Sequence, residues 1–173
     1  VINHNFDLDI QKYIVLDFSG YKDIVDLLGG ISLNITDAEA SVIRDIDSGG
    51  THSLNGEQAL AYARIRKIAS DFVRVRRQRT VLLTVLSQMR QLDPTQQYNM
   101  TFEAIQHIRS NIAGTEITGS LMDLALKIDD NADQVTVPFD GMFQVHNETT
   151  WYMSLDWSRQ VAALHEYLYQ DEN

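Results

Sequence analysis

Residues 12–35, KYIVLDFSGYKDIVDLLGGISLNI, contain the pattern that decides the fold. The β-branched and aromatic run at residues 12–18 predicts one strand, and residues 31–35 predict a second. Between them, Ser19 is a candidate N-cap for a short helix with apolar residues at helical spacing, and Gly29 is suited to end that helix. A strand, a helix and a strand in such close succession predict an α/β fold, with a mixed β-sheet and helices packed on its faces.

The segment that follows predicts a loop and then two helices. Residues 37–50 are polar and predict the loop, whereas Asn55, with Gln58 three residues later, predicts a capping box at the start of a helix. A long helix comes next, and Pro94 lies just past its end. We expect its buried face to consist of Phe72, Val75, Arg79, Leu82, Leu83, Leu86 and Met89.

The last third of the sequence predicts further helices and a hairpin. Residues 134–138 predict a strand, the runs on either side of Asn147 and Glu148 predict a β-hairpin, and residues 157–168 predict a final amphipathic helix. No linker is evident, so we expect residues 1–173 to form a single domain. Two more helices are indicated by Phe102, Ile105, Ile108 and Ile112, and by Leu121, Leu124, Ala125 and Ile128 after Thr118.

Positive charge is concentrated in one short segment of an acidic protein. The formal net charge is −10, yet residues 64–79 hold seven of the fourteen Lys and Arg residues, six of them arginines. The overall acidity argues against general nucleic-acid binding, because nucleic-acid-binding domains usually carry a broad basic surface. A local cluster of arginines instead favours a compact anion as the partner.

The spacing of these cations favours a phosphate or pyrophosphate ligand. Arg64 and Arg66 would point the same way in an extended chain. Arg74, Arg77 and Gln78 would share one side of a helix. Guanidinium groups bind phosphate oxygens in a bidentate manner and keep their charge, and such clusters stabilise charge on a transferring phosphoryl group. The alternative left open by the spacing is a solvated helix face whose arginines pair with acids elsewhere.

Asp71 and the rest of the composition narrow the choice of chemistry. Asp71 stands at the start of the long helix, where its carboxylate could cap the helix, pair with an arginine or help to hold a metal ion.

There are no cysteines, the five histidines have no metal-binding spacing, and no Walker or GxGxxG loop occurs. The sequence therefore gives no support for catalysis by a cysteine thiolate or for nucleotide binding through a glycine-rich loop.

Several motifs together resemble the LytR-CpsA-Psr family. The segment LNGEQALAYARIRK, followed closely by SDFVRVRRQR, is similar to the family signature, and residues 9–35 resemble the stretch that precedes it. The resemblance extends over nearly the whole chain. It implies membrane-anchored enzymes outside the cell membrane that transfer glycopolymers, such as teichoic acid or capsular polysaccharide, from a polyprenyl-pyrophosphate carrier onto peptidoglycan.

The resemblance also implies roles for individual residues. By motif position, Arg64, Arg66, Asp71 and Arg74 correspond to catalytic residues, and a Mg²⁺ ion is expected, with Asp71 as a possible ligand. The lipid is expected in an apolar tunnel between sheet and helices. The pyrophosphate ligands implied by the motifs are Arg64, Arg66, Arg74, Arg77 and Gln78.

The sequence departs from the family pattern at its beginning, since the family's transmembrane helix and early strands with catalytic aspartates are not found in it. We therefore expect this chain to carry the arginine half of the site, to lack the acid half and to be inactive alone. Two alternatives to the transferase remain open at this stage. One is a transcriptional regulator or attenuator of cell-envelope genes, and the other is a non-catalytic module that binds polyprenyl phosphates.

Overall fold

The computed structural model describes residues 1–66, 71–127, 135–148 and 150–169. Its strands and helices place the chain in the α/β class, as the sequence predicts. The chain divides into two compact units, Lys12–Ala132 and Val1–Gln11 with Asp133–Asn173. The prediction of a single domain stays a prediction. Within the described residues, no helix is both long enough and apolar enough to cross a membrane.

The larger unit contains two antiparallel strand pairs and most of the helices. The short strand β1 pairs with β4, and β2 pairs with β3. Its elements in chain order are β1 (Ile14–Leu16), α2 (Phe18–Leu27), β2 (Ile31–Ile35), α3 (Asp37–Ala40), β3 (Gly50–Leu54), α4 (Gly56–Ala63), α5 (Asp71–Gln91), α6 (Pro94–Ile105), β4 (Ile108–Ser110) and α7 (Gly114–Lys127).

The core of this unit lies where α2, α4 and α5 pack against the β2–β3 pair. Along β2 the side chains of Ile31, Leu33 and Ile35 are buried while those between them are exposed, which is the alternation expected of a strand with one face on the core. Burying these side chains removes apolar surface from water, which is the main force holding the layers together. The helices contribute Val25, Ala59, Tyr62, Val81, Val85 and Met89 to the same cluster.

Helix α2 begins and ends close to its predicted limits, but its cap differs from the prediction. Asp17, not Ser19, is the N-cap, and its side chain accepts a hydrogen bond from the Gly20 amide at 2.9 Å. The carboxylate is the stronger acceptor and also favours the positive end of the helix dipole. Gly29 follows the helix with φ +76°, a conformation that suits glycine.

Helix α5 buries only part of the face that the sequence predicts. Leu86 and Met89 of that face are buried, together with Val81 and Val85, which the prediction did not include. Phe72 and Leu82, predicted to be inside, are 42% and 52% exposed. The exposed apolar residues Phe72, Val75 and Leu82 form what we call the outer stripe, and the buried Leu86 lies one turn beyond Leu82.

Two predicted elements are replaced by other structure. Ile108 belongs to β4 rather than to a helix, because α6 ends at Ile105 and the chain turns to pair with β1. Helix α7 begins at Gly114, one turn before the predicted start at Thr118. Residues 135–138 are not in a strand, since no described strand pairs with them; Gln134 and Ile128 lie outside the described residues.

The smaller unit contains α1 (Ile2–Phe6), the hairpin β5 (Phe143–His146) and β6 (Tyr152–Leu155), and α8 (Trp157–Leu168). The predicted hairpin and final helix are both confirmed. Gln160 on α8 is fully buried. Its side chain accepts from the Phe139 amide at 2.9 Å and donates to Met142 O at 3.1 Å, so it satisfies the backbone before the hairpin.

Candidate functional site

The first cationic segment follows α4, whose start is fixed by a capping box. Asn55 Oδ1 accepts from the Gln58 amide at 2.9 Å, and Gln58 Oε1 accepts from the Asn55 amide at 3.1 Å. This box confirms the sequence prediction. The helix ends at Ala63, and its C-cap is Arg64, whose amide still donates to Leu60 O at 3.1 Å. The position of Arg64 is therefore set by the end of a capped helix.

Arg64 and Arg66 both reach the surface. Both side chains are exposed, whereas Ile65 between them is 5% exposed and belongs to the core. Arg64 itself is not extended, since its ψ is 1°, so the extended geometry considered for the pair is not found at this residue. The buried Ile65 side chain anchors the segment, so the two guanidinium groups reach solvent from a backbone that is held against the core.

The guanidinium of Arg64 rests on an aromatic ring. Its Cζ atom lies 4.5 Å from the centroid of the Phe18 ring, at the first residue of α2. A cation over the face of a ring is attracted by the negative electrostatic potential of that face. Phe18 is 59% exposed, so the contact holds Arg64 at the surface without removing its charge from solvent.

Three further predicted residues lie on the first turns of α5. Arg74 is half-buried and Gln78, one turn later, is exposed. Their spacing of four residues places them next to each other on the helix. Arg77 differs from both, because only 5% of it is exposed and it continues the buried series of Val81 and Val85. The spacing of the three residues places them on one side of the helix, and of the three only Arg77 is buried.

Arg77 is engaged by groups of the protein itself. Its Nε donates to Glu39 Oε1 at 2.7 Å, and its Nη1 donates to Ile65 O at 3.3 Å. Its Cζ atom lies 5.9 Å from the centroid of the Tyr62 ring. The side chains of Arg77 and Glu39 are only 6% and 12% exposed, so this is a buried ion pair. Arg77 therefore connects α5 with the backbone between Arg64 and Arg66.

Glu39 is held by a second capping box. Thr36 caps the short helix α3, and Glu39 Oε2 accepts from the Thr36 amide at 2.9 Å and from Thr36 Oγ1 at 3.0 Å. One oxygen of Glu39 thus closes the cap while the other binds Arg77. Both carboxylate oxygens are satisfied, which a buried carboxylate requires.

These contacts shift the protonation equilibria of the buried groups. Burial alone would raise the pKa of Glu39, but hydrogen bonds from Thr36 and Arg77 outweigh it, and the pKa is lowered from its ordinary value. Burial, and secondly the negative charge of Glu39, raises the pKa of Tyr62. The pair is therefore ionised and Tyr62 is protonated at neutral pH.

The structure brings together part of the predicted site. Arg64 and Arg66 flank the carbonyl that Arg77 binds, which places that segment beside the second turn of α5, the turn that also carries Gln78. Arg74 lies one turn closer to the start of the helix. The side chain of Asp71 lies outside the described part of the structure, so its predicted catalytic and metal-binding roles stay predictions.

The described side chains do not form a metal site. Among them there is no group of three His, Cys, Asp or Glu residues that could hold a metal ion together. The donor set that Mg²⁺ prefers, several oxygen ligands around one point, is therefore not found in the described part of the chain. The expected Mg²⁺ is not tested by this finding, and we derive no chemical step through it.

Sequence analysis missed Glu39 and Thr36, which support the cationic segment. We predicted residues 37–50 as a loop, although Thr36 and Glu39 have the spacing of a capping box. That spacing could have revealed the helix. The pairing of Glu39 with Arg77 could not be foreseen, because it joins residues 38 positions apart.

Comparison with known proteins identifies relatives over most of the chain. The model of the LytR_cpsA_psr family matches residues 1–166. Biofilm regulatory protein A of Streptococcus mutans is 32% identical over 135 residues, which cover 72% of this chain and 32% of that protein. The polyisoprenyl-teichoic acid–peptidoglycan teichoic acid transferase TagV of Bacillus subtilis is 32% identical over 125 residues, covering 66% and 32%. The chain spans about a third of the length of these two curated relatives.

Solved structures show the same fold. The crystal structure of Bacillus subtilis TagV has a TM-score of 0.68 at 28% identity, over 96% of this chain and 67% of that chain. TagT bound to LIIa-WTA has a TM-score of 0.75 at 20% identity, over 98% and 64%. At that identity the TagT structure is evidence for the fold alone. The fold predicted from the family resemblance is confirmed by both comparisons.

Proposed function

Because the chain belongs to the LytR_cpsA_psr family, we propose that it is part of a phosphotransferase of cell-wall biogenesis. The enzyme moves a glycopolymer, such as teichoic acid or capsular polysaccharide, from a polyprenyl-pyrophosphate carrier onto peptidoglycan. Relatives such as TagV, which is named a teichoic acid transferase, support this proposal. We place the enzyme on the outer face of the cell membrane, attached by a membrane anchor.

The observation that carries the proposal is the pair of exposed arginines on an anchored backbone. Arg64 and Arg66 are exposed on either side of the buried Ile65, and on the neighbouring helix Arg74 is half-buried and Gln78 is exposed. We assign these four residues to the pyrophosphate. Several guanidinium groups near one another repel in the absence of a ligand, and a doubly charged phosphate anion relieves that repulsion.

The outer stripe of α5 supports a lipid as the other half of the ligand. Phe72, Val75 and Leu82 are 42%, 38% and 52% exposed on the helix that also carries Arg74. An exposed apolar stripe on a helix with cationic residues suits a molecule with an anionic head and a hydrocarbon tail. We propose that this stripe forms one wall of the lipid tunnel.

The proposed reaction is the attack of an acceptor sugar hydroxyl on the phosphorus that carries the glycopolymer. A new P–O bond forms to the acceptor, the P–O bond to the second phosphate breaks, and polyprenyl phosphate leaves with the electron pair. The hydroxyl proton passes to a base that we expect outside this chain. Arg64, Arg66 and Arg74 stabilise the charge that develops on the phosphate oxygens. Asp71 is our candidate ligand for a Mg²⁺ ion.

Binding of a short polyprenyl pyrophosphate tests the proposal directly. We expect farnesyl pyrophosphate to bind the chain in isothermal titration calorimetry. Arg64→Ala, Arg66→Ala and Arg74→Ala should each weaken binding about tenfold or more, since a hydrogen bond to a charged group contributes about 1.5–3 kcal/mol. Arg44→Ala is the matched control, because Arg44 is 93% exposed and lies outside the cluster. Absence of binding, or an equal loss in the control, would contradict the proposal.

A transfer assay tests the expectation that the chain alone is inactive. We expect no transfer of lipid-linked polymer to peptidoglycan by this chain, although it binds the pyrophosphate. Robust turnover would refute the argument that the catalytic acids lie elsewhere. Binding without transfer, even by a longer protein that includes those acids, would instead identify a non-catalytic binding module.

A regulatory role is the second candidate, favoured by the names of two relatives. These are Biofilm regulatory protein A and the regulatory protein MsrR of Staphylococcus aureus, which is 24% identical over 98% of this chain and 54% of that protein. The net charge of −10 weighs against direct contact with DNA. Titration with DNA at several salt concentrations distinguishes the regulator from the transferase, because DNA binding with a steep salt dependence would support the regulator.

A further inference from the structure

We infer that Arg77 is a positioning residue, which together with Glu39 fixes the backbone from which Arg64 and Arg66 reach the pyrophosphate. The inference rests on the proposed function, because it concerns the same anion site. It gives Arg77 a role different from the ligand role that the sequence motif implies. It also assigns a role to Glu39, which no motif indicated.

The surroundings of Arg77 do not suit a ligand contact. Its side chain is 6% exposed, and two of its nitrogens, Nε and Nη1, donate to Glu39 and to Ile65 O. Its charge is balanced by Glu39 at 2.7 Å, so the pair adds little net positive charge to the site. An approaching phosphate would have to compete with a buried carboxylate that is already in place.

The hydrogen bond from Arg77 to Ile65 O indicates the role of the Glu39–Arg77 pair. Ile65 is the residue between the two exposed arginines, so its carbonyl belongs to the peptide unit that leads into Arg66. A hydrogen bond from the rigid guanidinium fixes the orientation of that peptide unit. Without it, the carbonyl side of Ile65 would lose its hydrogen bond, and Ile65 would be held by its buried side chain and by its amide, which donates to Tyr62 O at 3.3 Å.

Glu39 makes this support rigid. Its second oxygen accepts two hydrogen bonds from Thr36, at the end of β2, so the carboxylate cannot move without breaking the cap of α3. The line of contacts therefore runs from the central strand pair through Glu39 and Arg77 to Ile65. Each step is a hydrogen bond of a buried or half-buried group.

Four variants and one control separate positioning from simple stability. Arg77→Met alone leaves Glu39 buried without its partner. Arg77→Lys keeps a positive charge opposite Glu39 but removes the planar guanidinium group, whose separate nitrogens donate to Glu39 and to Ile65 O. Glu39→Gln combined with Arg77→Met removes both charges, so that neither is left buried and unpaired. Arg64→Ala tests the anion site itself. Arg44→Met removes an exposed arginine outside the cluster and is the control.

The readouts are amide hydrogen exchange at Arg64 and Ile65, thermal stability, and affinity for farnesyl pyrophosphate. In Arg77→Lys and in the double variant we expect exchange at these two amides to become at least tenfold faster. We expect affinity to fall at least fivefold in both. Thermal stability of the double variant should stay closer to the wild type than that of Arg77→Met alone, and Arg44→Met should change none of the three.

The outcomes distinguish this inference from the proposed function. If Arg64→Ala weakens binding while Arg77→Lys and the double variant keep wild-type exchange and affinity within twofold, the positioning role is refuted and the anion site stands. If the wild type binds no farnesyl pyrophosphate, the proposed function fails. In that case the exchange rates still decide whether the pair holds the segment, and unchanged rates overturn the inference.

Discussion

At the scale of single residues, the chain depends on one buried ion pair more than on its many surface charges. The Glu39–Arg77 pair has both partners almost out of solvent, whereas Lys22 and Glu57 form a largely exposed pair. Exposed pairs contribute little, because solvent screens them. Breaking a buried pair leaves an uncompensated charge inside the protein, which is costly.

We therefore expect Arg77→Met to lower the free energy of unfolding by about 3–5 kcal/mol, since Glu39 would remain buried without its partner. Urea denaturation followed by circular dichroism measures this. Arg44→Met should lie within about 0.5 kcal/mol of the wild type. If Arg77→Met lowers the free energy of unfolding by less than about 1 kcal/mol, the Glu39 carboxyl group is readily hydrated or protonated, which would contradict this prediction.

The lowered pKa of Glu39 predicts how stability depends on pH. A carboxyl group whose folded pKa lies below its unfolded value binds protons less readily in the folded state, so it stabilises the fold above the unfolded pKa. That contribution is lost as the pH falls below the ordinary value of 4.5 and through the folded pKa. We expect the melting temperatures of the wild type and Glu39→Gln to differ at pH 7 and to converge in acid. A difference that persists at low pH would contradict this assignment.

Some of these residues could be predicted from sequence and others could not. Arg64 and Arg66 were found because their alternation with Ile65 is local, and the structure shows both exposed. The role of Arg77 was missed because its partners, Glu39 and Ile65 O, are brought to it by the fold. The sequence around Arg77 does not indicate that this arginine, among its cationic neighbours, is the buried one.

At the scale of elements, α2 and α4 pack at unusually short distance. The first residue of α4 is Gly56, whose amide donates to Asp26 Oδ1 at 2.7 Å. A β-carbon built at Gly56 would lie 2.4 Å from Lys22 O, which is backbone and cannot yield easily. This contact sets the start of the helix whose C-cap is Arg64.

We expect Gly56→Ala to destabilise the protein by about 1–3 kcal/mol, because the two helices would have to move apart. Gly119→Ala is the control, since Gly119 lies within α7 and a β-carbon there meets nothing within 4 Å. That variant should be neutral or more stable by about 0.5–1 kcal/mol. Chemical denaturation of both variants is the measurement, and equal effects would contradict the close approach.

Element boundaries followed local signals where caps were clear, but the buried face of α5 was only partly predictable. The box at Asn55 and Gln58 gave the start of α4. For α5 the apolar pattern led to one face, whereas the residues buried at its start follow from a charged residue, Arg77, to Val81 and Val85. The packing of the helix, and not the local pattern, determines this.

At the scale of the whole molecule, consecutive or regularly spaced apolar side chains meet solvent on β1 and on α5. All three residues of β1 are exposed, and so is the outer stripe of α5. Single exposed apolar residues are common in proteins, but a run on a strand and a stripe on a helix are less so. The α/β class and the family motifs were predictable from sequence; that the described strands form separate pairs was not, because pairing partners lie far apart in the chain.

The outer stripe predicts that affinity depends on the length of the lipid. We expect farnesyl pyrophosphate to bind at least about tenfold more tightly than inorganic pyrophosphate, since burying about 55 Å² of apolar surface contributes about 1.4 kcal/mol. Leu82→Gln should reduce the ratio of the two affinities, farnesyl pyrophosphate to inorganic pyrophosphate, and leave the affinity for inorganic pyrophosphate unchanged. Competition binding with the two compounds measures it.

The control for lipid length is Leu86→Gln, because Leu86 lies on the same helix but is buried. It should destabilise the fold rather than alter the ratio of affinities. Equal affinities of the wild type for the two compounds would contradict a lipid wall on α5.

The contact between Arg64 and Phe18 offers an optical probe of the site. An indole introduced by Phe18→Trp would lie beneath the guanidinium that now sits 4.5 Å from the ring centroid. Its fluorescence would respond to the nearby positive charge, and an anion that draws the guanidinium aside would change both intensity and wavelength. Ligand occupancy could then be followed in real time by light emission, against the constant background of Trp151 and Trp157.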